Sequence, residues 1–474
     1  MRLNILKLNT PNEHAEQPAE TLRTHEGAPA SVLTAEQSLR RSVLSCMLWE
    51  REFYEDGQEI AARIRTLVPQ VAAEAVASLA IEARERMHLR HVPLLLVREM
   101  ARHASHRALV AETLTRIIQR ADELTEFLAI YWSEGRQPLS AQVKKGLAAA
   151  FVKFDEYALA KYDREAPSLA GYVRLRDVLF LTHARPLTTE QAAVWKRLVE
   201  GSLATPDTWE VALSAAGRNG EAGHGESRQQ VWERLLRERR LGARALLRNL
   251  RNLHEAQVRE DLVLAGLAAM RTERVLPFRF LAAARSAPQW EEALELAMIR
   301  SLSERAGQLV GHTVLLVDVS GSMNVPLSRR SEMHRTDAAY GLAILLRELA
   351  ERVTIYSFSD ASVLVPNRRG IALRDALEHS QPHGATYLGA ALRHVQWECP
   401  RYNRLIVLTD EQSHDKVAQP QGRGYIINVA STRNGVGYPN SGQQEGCTES
   451  LTHGWTHIDG FSESIVDYIQ ELER

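Results

Sequence analysis

Apolar residues recur three and four positions apart along most of the first 300 residues, and the pattern then changes to short, unbroken apolar runs. The polar stretch 1–30, with Pro11, Pro18, Gly27 and Pro29, reads as an arm. TAEQ at 34–37 then forms a capping box, in which Thr34 accepts from the amide of Gln37 and the Gln37 side chain reaches back. Leu39, Val43, Leu44, Met47 and Leu48 follow at helical spacing. Similar amphipathic units come after it. One opens at Ser140 and carries Val143, Leu147, Phe151 and Phe154 on one face. Another opens at TTEQ (189–192), with Thr188 as an alternative cap, and runs through Val194, Trp195 and Leu198. Further helices are expected near 207–215, 227–250, 256–271 and 289–307. Roughly a dozen such helices, with short connections and no convincing strands, predict stacked helical hairpins of the solenoid type. No fixed repeat period is visible.

From 310 the pattern alternates strand with helix. Val314 to Val317 is apolar without a break, as in a strand buried on both faces. A helix from near Thr336, the strand VTIYSFS, the helices ALRDALEH and TYLGAALRHVQW, and the strands RLIVLTD and GYIINVA follow. A last helix is expected over SESIVDYIQELE, capped by Ser462 or Ser464. This order predicts a doubly wound α/β domain with a mostly parallel sheet over 310–474. The Gly-, Asn- and Ser-rich segment 431–454 reads as a long surface loop.

Composition narrows the class without deciding it. A chain of 474 residues is too long for one core. The formal net charge of −1 gives no overall pull towards nucleic acid. Residues 1–309 hold 43 Lys and Arg against 40 Asp and Glu, and residues 310–474 hold 15 against 19, so the helical part is the slightly basic one. Cys46, Cys399 and Cys447 form no C-x-x-C pair, which suits a reducing cytoplasm and argues against zinc. No signal peptide or membrane span is expected, so a cytoplasmic location is.

The chemistry gathers at the strand ends. Asp318, Ser320 and Ser322 alternate hard oxygen donors along the turn that closes HTVLLVDVSGSM, which suits Mg²⁺ or another divalent cation. Thr386, before a helical run, and Asp410, at the end of RLIVLTD, belong at the same edge, because ligands gather outside the carboxyl ends of strands in open parallel sheets. Together the five resemble the metal-ion-dependent adhesion site of a von Willebrand factor A domain. Catalysis has little support: G-x-S-x-G, Walker and H-E-x-x-H motifs are missing, and only His312 or His334 is available to approach the serines as a base.

In the helical half, MHLRHVPLLLVREMARH (87–103), LSAQVKKGLAAAFVKFDEYALAKYDR (139–164), VRLRDVLFLTHARP (173–186) and ARALLRNLRNL (243–253) resemble the TROVE module of Ro-type ribonucleoproteins. INVAS (427–431), RNGVGY (433–438) and WTHIDG (455–460) are similar to bacterial members. The resemblance implies an arm (1–30), a ring of HEAT-like helical repeats (31–309, an α-solenoid) and a von Willebrand factor A domain (310–474). It also implies small Y-like RNA on a basic outer face and single-stranded ends of misfolded non-coding RNA in a central hole. An exoribonuclease or other protein is the expected partner of the A domain, and the chain is expected to be a monomer that binds neither DNA nor membrane. Lys161, Arg164, Arg174, Arg176, His183 and Arg185, interleaved with Tyr162 and Tyr172, suit phosphate contact and base stacking. Arg176 stands where lysine is expected in animal relatives. Arg234, Arg237, Arg240, Arg244, Arg248 and Arg251 recur three and four apart, as one cationic stripe if their helices stack end to end, or as a solvated face paired with Glu233 and Glu238. Arg98 and Arg102, with His103, are candidates for the ring interior. The other function class is an adaptor whose A domain captures an acidic side chain through its metal.

Overall fold

The computed structural model describes residues 33–44, 57–163, 173–205, 208–220, 226–272, 275–303, 307–326, 333–430, 435–437, 454–460, 465, 469, 470 and 473. Cys46, Cys447, Arg164, Tyr172, the arm and most of the 431–454 loop and the final helix lie outside them.

The first helices are α1 (Ala35–Leu44), α2 (Gly57–Leu67), α3 (Ala73–Glu85), α4 (His91–Arg102), α5 (Val110–Ile117), α6 (Asp122–Tyr131), α7 (Ala141–Phe151), α8 (Glu156–Tyr162), α9 (Leu175–Thr182) and α10 (Thr189–Glu200). The next are α11 (Trp209–Gly220), α12 (Arg228–Arg237), α13 (Ala243–Glu255), α14 (Glu260–Ala269), α15 (Pro277–Ser286) and α16 (Glu291–Ser303). The caps explain several starts. Ser140 accepts from the Val143 amide, Thr188 from Gln191, and Ser227 from Gln230 with the reciprocal bond in place. The stretch 227–250 is two helices and not one. Arg239, at φ 53, turns the chain into the left-handed region after α12, and Gly242 caps α13.

Each helix packs against the next but one. Thus α3, α5, α7 and α9 form one row and α2, α4 and α6 another; farther on, α12, α14 and α16 run beside α13 and α15. This two-row pattern is the helical solenoid.

The A domain contributes β1 (Leu309–Asp318), α17 (Arg335–Leu349), β2 (Ala350–Phe358), β3 (Ser362–Val365), α18 (Gly370–Glu378), α19 (Leu388–Glu398), β4 (Arg404–Thr409), β5 (Arg423–Asn428) and β6 (Gly454–Asp459). Strand order is β3-β2-β1-β4-β5-β6, parallel except for the antiparallel edge strand β3. Leu315 and Val317 face one core while Val314 and Leu316 face the other, as a period of two requires. The sequence reading missed β3, β6 and α15.

The solenoid joins the A domain twice. At its C-terminal end, α17 continues the α13–α15 row and α18 continues the α12–α14–α16 row. One apolar core runs unbroken from Val231 through the sheet to Ile469. Gly341 lies so close to Phe278 that an added Cβ would sit 2.9 Å from the Phe278 backbone nitrogen. At the other end, α1 packs on β6, and the Leu44 carbonyl oxygen would be 2.8 Å from a Cβ at Gly460. The helices therefore form a ring closed by the A domain. The core of α1–α10 is a separate cluster, so the α1 seam has no shared apolar core. No helix among the described residues is long and apolar enough to cross a membrane.

Candidate functional site

Parallel pairing of β1 with β4 brings Asp318 and Asp410 to the same edge of the sheet, where the chain crosses to β2 on one side and to β4 on the other. Asp318 is fully buried. Its Oδ1 accepts from the Ser320 amide at 2.9 Å and its Oδ2 from the Thr409 hydroxyl at 2.6 Å. The Ser320 and Ser322 hydroxyl oxygens stand 3.2 Å apart. The Gly321 amide donates to the Gly384 carbonyl at 3.0 Å, where a Cβ at Gly321 would be 3.3 Å from the His383 carbonyl oxygen. That contact stitches the Thr386 loop to the serine turn. The loop is tied on its other side by the His414 amide, which donates to the Thr386 carbonyl at 2.8 Å.

Burial, then the neighbouring Asp410 carboxylate, pushes Asp318 up to about 7. Two buried carboxylates with three nearby hydroxyls lack positive charge, and Arg335 supplies some: its guanidinium, 97% buried like the site itself, lies 3.1 Å from Asp410 Oδ2. Sequence spacing gave no sign of Arg335, which opens α17 seventeen residues after Asp318. Two residues on, Asp337 forms a two-pronged ion pair with Arg285 of α15, at 2.9 and 2.5 Å. Neither histidine is placed as a base. His312 hydrogen-bonds Thr354 and the Arg401 carbonyl, six residues back along β1, roughly 20 Å from Asp318. His334 Nδ1 is 3.0 Å from Asn324. Among the described residues no three His, Cys, Asp or Glu side chains form a metal cage.

Glu411, beside Asp410, makes the seam. It has a positive φ of 59° and is fully buried, with Oε1 3.0 Å from Arg41 Nη1 of α1 and 3.6 Å from His457 Nδ1. Burial alone would raise its pKa, but Arg41 and His457 hold it at about 2.

The basic residues divide into paired and unpaired groups. Arg98 is fully buried and ion-paired with Glu99 and with Glu134, the latter at 3.0 Å. Arg102 pairs with the same Glu134 at 3.0 Å. Arg98 is thus buried and held by two carboxylates, so a ring-interior contact through it would require that pairing to open, because none of its donors reaches the surface. The stripe also breaks up. Arg234 pairs with Glu226, Arg237 with Glu233, Arg240 with Glu238 and Arg251 with Glu255. Arg244 and Arg248 of α13 are exposed and have no acidic partner among the described residues. Arg279, at the start of α15 and 5.2 Å over the Phe278 ring, joins them. Desolvation by the surrounding protein, then repulsion from Arg244 and Arg248, lowers its pKa.

Around α9, Lys161 lies 5.9 and 5.7 Å from the Tyr157 and Tyr162 rings. Arg174 caps the helix, with its amide donating to Asp177 at 2.8 Å, and Arg176 is half-buried. Arg174 and Arg176 both lower the pKa of Asp163, which burial raises. His183 ends α9 in the left-handed region at φ 53, exposed like Arg185. Phe180, between them, is 60% exposed. The sequence held a signal for it: the buried face of α9 is Leu175, Val178, Leu179 and Thr182, and Phe180 lies off that stripe.

Comparison with known proteins follows the same division. A TROVE domain model matches residues 186–340 and a von Willebrand factor type A domain model matches residues 313–412. Their overlap, 313–340, covers the second half of β1 and the start of α17, where Asp337 pairs with Arg285 of α15. The structure is similar to the crystal structure of the Deinococcus radiodurans Ro (RSR) protein, with a TM-score of 0.61 and 17% identity over 93% of this chain and 99% of that one. No curated protein matches the sequence.

Proposed function

We propose that this chain, which matches a TROVE domain model and a von Willebrand factor type A domain model, is a Ro-type protein that binds non-coding RNA through the phosphate backbone. The observation that carries this reading is the group Arg244, Arg248 and Arg279, three cations on adjacent helices that repel one another and lack an acidic partner among the described residues. Such a cluster is stabilised by a polyanion. The α9 patch, Lys161, Arg174, Arg176, His183 and Arg185, is the second contact area and suits a small Y-like RNA. Single-stranded ends of misfolded RNA are the proposed ligand of the central hole. The role is binding in RNA quality control and not catalysis.

Filter binding of a small hairpin RNA across salt concentrations tests this. Arg176→Glu with His183→Ala weakens binding to all sequences alike and lowers the salt slope by about one unit. An unchanged slope would remove α9 from the interface.

The A domain is proposed to hold one Mg²⁺ or similar ion with Asp318, Ser320, Ser322, Thr386 and Asp410, some acting through water. The donor set fits a hard cation, whose charge offsets both the burial and the Asp410 repulsion that raise Asp318. A metal held largely by neutral hydroxyls leaves a position for a carboxylate or phosphate oxygen, which favours a second, compatible reading as a partner-capturing adaptor. Arg335 would then give up part of its hold on Asp410.

The pH dependence follows with its sign. Asp318 in the fold binds its proton more tightly than an unfolded aspartate, so without metal its contribution to stability falls as pH rises from about 4 to 7. Metal binding needs the deprotonated form. Mg²⁺ at 100 times its Kd therefore stabilises the protein by about 2.7 kcal/mol at pH 8, and by progressively less as pH drops through 7. In Asp318→Ala the shift is gone at every pH. Melting curves with Mg²⁺ and EDTA read this out, and equal shifts in mutant and wild type would refute the metal assignment.

A further inference from the structure

We propose that Phe180 is a stacking platform for unpaired bases of the RNA held on the α9 patch, with two hollows beside its ring that each seat one base. This rests on the RNA reading above and assigns a base-binding site to it. Phe180 projects from α9 with 60% of its surface exposed, while the helix buries its other apolar residues on a different face. An aromatic ring left in water beside cations is a common feature of single-strand sites.

Two hollows share this ring. One, of about 540 Å³, is lined by Leu179, His183, Pro186, Trp195, Lys196 and Val199, among others. The second, of about 680 Å³, is lined by Ala129, Trp132, Arg136, Val173, Asp177 and Leu181. Both fall within the roughly 300–1,000 Å³ of small-ligand sites. Each combines an apolar floor containing tryptophan with a few polar groups at the rim. In the second, the Arg136 guanidinium lies 5.0 Å from the Trp132 ring and offers a flat cationic surface. Asp177 accepts hydrogen bonds there, and His183 borders the first hollow, so base edges meet both donors and acceptors.

Charge decides what the pair of hollows holds. Arg136, His183 and Lys196 line the hollows beside Asp177 and Glu200, with Lys196 paired to Glu200 at 3.9 Å, and Arg176 and Arg185 lie in the same α9 segment. On α9, Arg176 lies four residues before Phe180 and so on its face of the helix, and His183, the left-handed residue that ends the helix, lines one of the hollows. A strand running along the helix thus passes Arg176 on one side of the ring and the His183 imidazole on the other, with phosphate near Arg176 and bases in the hollows.

The test uses the full-length protein and a fluorescein-labelled small hairpin RNA with an unpaired loop, the ligand proposed for the α9 patch. Stacking is worth roughly 1–3 kcal/mol per base by alanine substitution, which is about 5- to 150-fold in Kd. Phe180→Ala therefore weakens binding at least about fivefold, whereas Phe180→Trp retains it. Phe180→Leu, apolar but not aromatic, behaves like alanine. None of the three changes the salt slope, because no phosphate contact is lost, and this separates them from Arg176→Glu. A 2-aminopurine placed in the loop is quenched on binding to wild type and less so with Phe180→Ala. The ring is exposed, so melting temperatures stay at the wild-type value. If RNA binds and Phe180→Ala or Phe180→Leu matches wild type, the platform is wrong and the RNA reading stands. If wild type holds no RNA, both fall. Loss of affinity for a hydrophobic peptide, with RNA affinity intact, would make the hollows a protein-docking site and overturn the proposal.

Discussion

Arg41→Met destabilises the full-length protein by about 3–5 kcal/mol. The reason is the partner it leaves behind. Glu411 is fully buried, and Arg41 is the principal charge holding its carboxylate ionised at about 2. His457, 3.6 Å away, cannot replace a direct guanidinium contact. The seam has no common apolar core to compensate, because the buried cluster of α1–α10 is separate from that of the A domain. Arg41→Met with Glu411→Leu recovers part of the loss, since the Glu411 carboxylate is gone, while the buried Asp459 still loses Arg41 and the Val436 amide its acceptor. The pair also sets an acid limit. Glu411 is depressed below its unfolded value, so its stabilisation is complete above about pH 5 and disappears as pH falls towards 2. Denaturant unfolding at pH 7 and pH 3 shows both effects. A single mutant within about 1 kcal/mol of wild type at pH 7 would mean that the seam is not closed by this pair.

The second large effect is on RNA. Replacing Arg244, Arg248 and Arg279 together by alanine lowers the salt slope for a single strand by about two units, at roughly 0.7 per phosphate contact. With the affinity extrapolated to 1 M salt unchanged, that is about 100-fold in Kd at 0.1 M. Stability moves the other way or not at all, because the three guanidiniums repel each other in the free protein. Unchanged affinity in the triple variant would leave the cluster without the proposed ligand. Arg237→Ala is the control: its charge is already paired with Glu233, and RNA affinity stays near wild type.

Much of the fold was legible because it is local. Capping serines and threonines, 3.6-residue periodicity in the first 300 residues and unbroken apolar strands later all act over a few positions. What sequence spacing could not give is what pairs across the ring. Arg41 and Glu411 are 370 residues apart, and neither stands out among the many charges of its segment. The arginine stripe looked continuous because a regular spacing does not show where a helix stops; the left-handed turn at Arg239 stops it. Arg98 looked like a surface cation because Glu99 and the distant Glu134, which seal it, could not be placed. At the A-domain edge the donor residues were legible from strand ends, while Arg335 was not, because nothing in its own segment marks a guanidinium aimed at Asp410.

The most direct test of the central claim is the affinity of the full-length protein for a small non-coding hairpin with a single-stranded 3′ tail, measured from 50 to 200 mM salt. With about seven unpaired cations in the two areas, log K is predicted to fall linearly with log salt at a slope of roughly −4 to −6. A slope near zero, or no RNA retained at 50 mM salt, would contradict phosphate-mediated RNA binding by this ring.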